Sequence, residues 1–167
     1  MALARVQRRL RQFVEALRPR IDTDLRAEAF GLLREPERQL FGTMTLRDQQ
    51  HGLDVYRRLQ AHGHNKRDLL IAALLHDVGK GRIALWHRVA YVLLEAGSPG
   101  LLRRVVKPGE GRTWRHALYR CLHHPELGAQ MARRAGCSEQ VIALIEATEQ
   151  DGPDEGLVAL RAADDSA

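Results

Sequence analysis

The sequence predicts an all-α fold, a bundle of about seven to nine helices joined by short connections. Three observations carry this. Leu, Ala and Arg are the commonest of the 167 residues and aromatics are only 5 %, a mix that favours helices over strands. Apolar residues recur at helical spacing, and no alternating run is long enough for a sheet. Capping residues, glycines and prolines stand where helices should begin and end. With 44 % apolar and 28 % charged residues, the chain is long enough to bury a core as one domain.

Residues 4–18 place Val6, Leu10, Phe13, Val14 and Leu17 on one helical face and arginines on the other, and Pro19 stops the run. A second helix is expected over 24–34, closed by Glu35-Pro36. Thr45 reads as an N-cap with Asp48 three residues on, opening a helix to about Ala61 that Gly63 ends. Asn65 or Asp68 opens the next helix. Its core, residues 69–75, is apolar nearly all round and should be buried at the centre. Gly79 and Gly81 end it. Helices follow over 82–96 and 99–106, with Trp86 expected in the core, and then a mixed-charge loop over 107–111. Thr113 starts another helix. Pro125 suits the first turn of the next, which Gly136 closes. Ser138 caps a helix to about Glu149, Asp151-Gly152-Pro153 turns, and residues 156–163 form the last helix.

Charge divides the chain unevenly. Residues 1–20 hold six arginines and one glutamate, and the remainder has 20 basic and 20 acidic residues. The expected organisation is a basic amphipathic helix at 1–20 and a single domain over 21–167. No aromatics interleave with the arginines as a base-stacking platform requires, so nucleic acid is not the expected partner. The apolar stripe of 4–18 is the candidate face for a homodimer. Two cysteines without a Cys-x-x-Cys pair exclude a zinc ribbon. No apolar leader and no spanning run is visible, and the expected location is the cytoplasm.

The chemistry concentrates in Leu74-Leu75-His76-Asp77-Val78-Gly79-Lys80. A His and an Asp end the most apolar helix, and burying both without partners is costly. A divalent cation neutralises the carboxylate, orients the imidazole and opposes the negative end of the helix dipole. Gly79 is expected to break the helix and let the two side chains converge.

This run resembles the signature of the HD-domain superfamily of metal-dependent phosphohydrolases. That family has a His on one helix, a His-Asp pair on a later one and a distant Asp near the domain end. His51 lies 25 residues before His76 in a similar setting, and Asp164, with Asp165 as the alternative, stands in the late Ala-Asp-Asp. The resemblance covers roughly residues 45–165. It implies an HD-domain bundle with His51, His76, Asp77 and Asp164 as metal ligands and Asp77 and Lys80 as the catalytic pair. The ion would be one Mn, Fe, Ni, Co, Zn or Mg per chain. His123-His124-Pro125 followed by Gly128-Ala129 is similar to a later helix start in relatives of the HD-GYP phosphodiesterases. His124, with His123 and Glu146 behind it, is thereby a candidate for a second metal or substrate contact. The next helix lacks the further histidines of those relatives, and no Gly-Tyr-Pro follows. Arg88, Lys107 and Arg112 are candidate phosphate contacts.

The activity implied is hydrolysis of a nucleotide or other small phosphate ester. The metal would polarise the phosphoryl group and acidify a water, with Lys80 neutralising phosphate charge. The alternative is a non-catalytic HD module that binds metal, nucleotide or a protein partner. Lys80 stands where some HD enzymes keep a catalytic glutamate.

Overall fold

Residues 69–75 are apolar on every face, and the protein buries all seven to 4 % exposure or less. Burying a Leu or Ile side chain contributes about 1.5–3 kcal/mol, so this helix is the natural centre of the fold. A computed structural model describes residues 21–106, 113–148 and 153–167. They form ten α-helices and one short 3-10 turn, with no strand among the described residues. The all-helical expectation therefore holds. The helix expected over 4–18, the loop of 107–111 with Lys107, Arg112, and the Asp151-Gly152 part of the late turn lie outside the described residues.

The helices are α1 (Thr23–Leu32), α2 (Glu35–Gly42), α3 (Leu46–Ala61), α4 (Arg67–Leu75), α5 (Leu85–Gly97), α6 (Pro99–Val105), α7 (Trp114–Leu122), α8 (His124–Arg134), α9 (Glu139–Glu146) and α10 (Glu155–Asp165). The 3-10 turn, Val78–Lys80, lies between α4 and α5. Helices α2, α3, α9 and α10 pack around α4, and α8 lies against both α9 and the 3-10 turn. The core is continuous through α1–α4 and α8–α10. Gly52 permits the closest approach of α3 to α4, where a Cβ would stand 3.0 Å from the Leu74 carbonyl oxygen.

Several boundaries differ from the sequence reading. Glu35-Pro36 opens α2 rather than only closing α1, because proline's missing N–H costs nothing in a first turn. Helix α5 starts at Leu85, not at residue 82, since Gly81 at φ +62° and extended Ala84 delay it. Helix α9 ends at Glu146. Helix α10 is capped by the Asp154 carboxylate and continues to Asp165, so Asp164 is helical. Thr45, Thr113 and Ser138 cap α3, α7 and α9 through their side chains.

Trp86 is not in the core; it is 59 % exposed. No described residue of 85–122 joins the main core cluster. Helix α5 packs on α6 and α7 instead, and this outer layer leaves Trp86, Val89 and Leu93 facing outward. No described helix is long and apolar enough to cross a membrane.

Candidate metal centre

Helix α4 delivers His76 and Asp77 together. His76 closes the helix, its N–H bonded to the Ala72 carbonyl. Asp77 follows at φ −90°, ψ 0°, the bridge region where turn and active-site residues collect. That change of backbone direction, before Gly79 is reached, lets neighbouring side chains converge. Both residues are buried, at 1 % and 2 % exposure.

Gly79 acts differently from expectation. A Cβ there would overlap the His124 carbonyl oxygen and stand 2.7 Å from the Gly128 nitrogen. Its missing side chain seats α8 against the 3-10 turn and brings His124 to the pair. On the outer side, Arg120 of α7 donates from NH2 to the Gly79 carbonyl at 2.7 Å and from Nε to the Lys80 carbonyl at 3.0 Å. Nothing in the sequence around Arg120 signals this contact.

Four elements supply the donors. His76 Nδ1 lies 2.9 Å from the Ala73 carbonyl oxygen, and His124 Nδ1 lies 2.9 Å from that of Cys121. A carbonyl only accepts, so each ring is protonated at Nδ1, and Nε2 of a neutral ring carries the lone pair. His76 Nε2 is 3.5 Å from Asp77 Oδ1 and 3.4 Å from Asp164 Oδ1. His124 Nε2 is 3.6 Å from Asp77 Oδ1. His51 Nε2 is 2.6 Å from Asp164 Oδ1, and its ring meets that of His76 edge to face at 5.3 Å. Asp165, one position on, is exposed.

Lys80 Nζ donates to Asp77 Oδ2 at 2.8 Å. It is 2.7 Å from Oδ1 as well, but without hydrogen-bond geometry, so Oδ1 accepts no hydrogen bond. His76 Nε2 is likewise buried without a hydrogen-bond partner. Two buried atoms that both present lone pairs thus face each other, an arrangement that a cation between them would complete. Such atoms are costly unless something completes them.

The electrostatics agree with the geometry. Burial works against ionisation of Asp77, but His76, Lys80 and His124 together hold its carboxyl far below the usual range. Burial also opposes ionisation of Asp164, and the neighbouring His51 and His76 outweigh it. Burial and then Lys80 push the His124 pKa down, which keeps that ring neutral. For His76 burial is opposed by Asp77 and Asp164, and its pKa is raised.

A divalent ion fits this donor set. Ligating atoms of His51, His76 and Asp77 all lie within 4.8 Å of one another, and the 3.4–3.5 Å separations at His76 match donors about 2.0–2.2 Å from a shared ion. The remaining sequence candidates are placed otherwise. His123 is half-exposed, 3.9 Å from Glu126, with its ring 4.5 Å from that of Tyr119 and tilted against it. Glu146 is exposed at the end of α9, outside the facing group. Arg88 gives both guanidinium nitrogens to Asp48, each at 2.6 Å, so its charge is already met. Asp48, read from sequence as a helix-start residue, is 2 % exposed and one helical turn before His51. That i, i+3 spacing was its only sequence signal.

Compared with protein-family models, with characterised proteins and with solved structures, the chain matches none.

Proposed function

We propose that the protein is a metal-dependent phosphohydrolase of the HD type, acting on a nucleotide or another small phosphate ester. The observation that carries the reading is the buried pair His76 Nε2 and Asp77 Oδ1, neither of which makes a hydrogen bond, facing each other at 3.5 Å. Asp164 and His51 complete the group from α10 and α3. When bound, a divalent ion would supply Lewis-acid polarisation of a phosphoryl oxygen and a more acidic water. Asp77 is held ionised, with Oδ2 bonded to Lys80 and Oδ1 turned to the place an ion would take. Lys80 sets an ammonium beside that carboxylate, where it can meet phosphate charge. Carbonyls of Ala73 and Cys121 fix the rings of His76 and His124 by their Nδ1 atoms, the outer support that metal-binding histidines need.

The second reading is a non-catalytic HD module, favoured by Lys80. Its ammonium lies astride the Asp77 carboxylate and already supplies one positive charge to the site.

Metal content by mass spectrometry tests the proposal, on wild type and on His76→Ala purified without affinity-tag metals. About one transition metal per chain, absent from the variant, is the expected result, followed by turnover of phosphate esters with that metal. Metal without turnover would move the assignment to the binding module. No metal in either protein, after exposure to manganese, iron, nickel and zinc, would overturn the metal-dependent hydrolase and point to a degenerate HD fold used for binding.

A further inference from the structure

Beyond Arg120, on the other side of the 3-10 turn, a cavity of about 430 Å³ opens between the first turns of α5 and α7. Its ionisable lining is Arg82, His87, His116 and Arg120, and no carboxylate lines it among the described residues. The Nδ1 atoms of His87 and His116 are buried without a hydrogen-bond partner. Arg82 makes no ion pair among the described residues and lines the cavity with an exposed side chain. Arg120 spends two donors on the turn carbonyls, and a guanidinium has five. The hydroxyls of Thr43 and Thr113 also reach the lining.

A cavity lined by two guanidinium groups and two imidazole rings, with no carboxylate among its described lining residues, suits an anion. Ala84 provides no side-chain cap to α5, so first-turn N–H groups of a 13-residue helix add to the positive potential there. Ile83 and Met131 give one side an apolar wall, which suits an organic group attached to the anion. We infer that this cavity is an anion site for a phosphate or phosphomonoester group, separate from the His76–Asp77 centre. It uses none of the proposed metal donors, and it stands whether or not the metal reading holds.

The test is a titration of the full chain with inorganic phosphate in the presence of a chelator, so that no ion draws phosphate to His76. The readout is the imidazole nitrogen and ring-proton shifts of His87 and His116 by NMR. Saturable shifts of both rings are expected, persisting in His76→Ala. Arg82→Glu replaces a hydrogen-bonding cation with an anion and should weaken binding about tenfold or more. His116→Gln should weaken it in the same direction. The site is overturned by shifts that sodium chloride of equal ionic strength reproduces, by shifts confined to His51 and His124, or by unchanged affinity in Arg82→Glu.

Discussion

Gly79 and His124 are in backbone contact: the α-carbon of one lies against the carbonyl of the other, with no room for a single methyl between them. This contact joins the turn that carries Asp77 and Lys80 to the helix that carries His124. It sets His124 Nε2 3.6 Å from Asp77 Oδ1.

Gly79→Ala tests the contact. Overpacking a close-packed region costs about 1–3 kcal/mol, and here the obstacle is backbone, which cannot swing aside. The variant should lower the urea midpoint by an amount in that range and weaken metal binding. A midpoint equal to wild type would show that α8 has slack the structure does not suggest.

Lys80 competes with any ion for the Asp77 carboxylate. Replacing it with Met removes a cation 2.7 Å from Oδ1 and keeps the length of the stem. At short range a unit charge is worth on the order of a few kcal/mol near a protein surface. Lys80→Met should therefore raise metal affinity about tenfold or more, measured by chelator competition, while lowering any phosphatase rate. Weaker metal binding in this variant would mean that Lys80 positions the site rather than opposing the ion.

The Asp48–Arg88 pair ties α3 to α5 with two bonds of 2.6 Å. Arg88→Met leaves Asp48 as an unpaired carboxylate at 2 % exposure, and breaking such a pair costs about 3–5 kcal/mol. Arg88→Met with Asp48→Leu should recover most of that loss. A double-mutant cycle on the urea midpoints gives the coupling, and purely additive losses would contradict it.

Glu37 gives the acid side of the stability curve. It is 1 % exposed and accepts from the Arg34 backbone N–H at 2.7 Å and from its guanidinium at 2.6 Å. Burial opposes its ionisation, yet the hydrogen bonds and charge of Arg34 bring its pKa below the ordinary 4.5. The unfolded chain therefore binds a proton at Glu37 before the folded one does. The contribution is complete above the ordinary value and is lost as pH falls through the lowered folded one. Chemical denaturation between pH 6 and about 3 should show a shallower decline for Glu37→Gln than for wild type. Parallel curves would remove Glu37 from the acid transition.

Local signals sufficed for much of the architecture. Residues 69–75 are apolar on every face, so burial at the centre was implied before any partner was known. Thr45, Thr113 and Ser138 cap helices by bonds within three residues of themselves, which depend on little else. His76 and Asp77 were legible because a charged, imidazole-bearing end to such an apolar helix demands completion. The distant donors were legible only as a pattern. That Asp164 faces His51 while Asp165 faces solvent follows from where α10 lies on α3, since adjacent helical side chains point about 100° apart.

Tertiary structure alone decided the rest, in each case because the deciding partner is far away in the chain. Arg88 looked available for phosphate until Asp48, 40 residues earlier, was found to hold it. Trp86 looked like core, but α5 packs in an outer layer and turns it outward. Gly79 looked like a helix breaker, and its role is to admit the backbone of α8. Arg120 carried no signal, because a guanidinium that caps two carbonyls 40 and 41 residues away is indistinguishable in sequence from any surface arginine. Periodicity and capping are properties of a few neighbouring residues, whereas charge pairing and close backbone approach are properties of the packed whole.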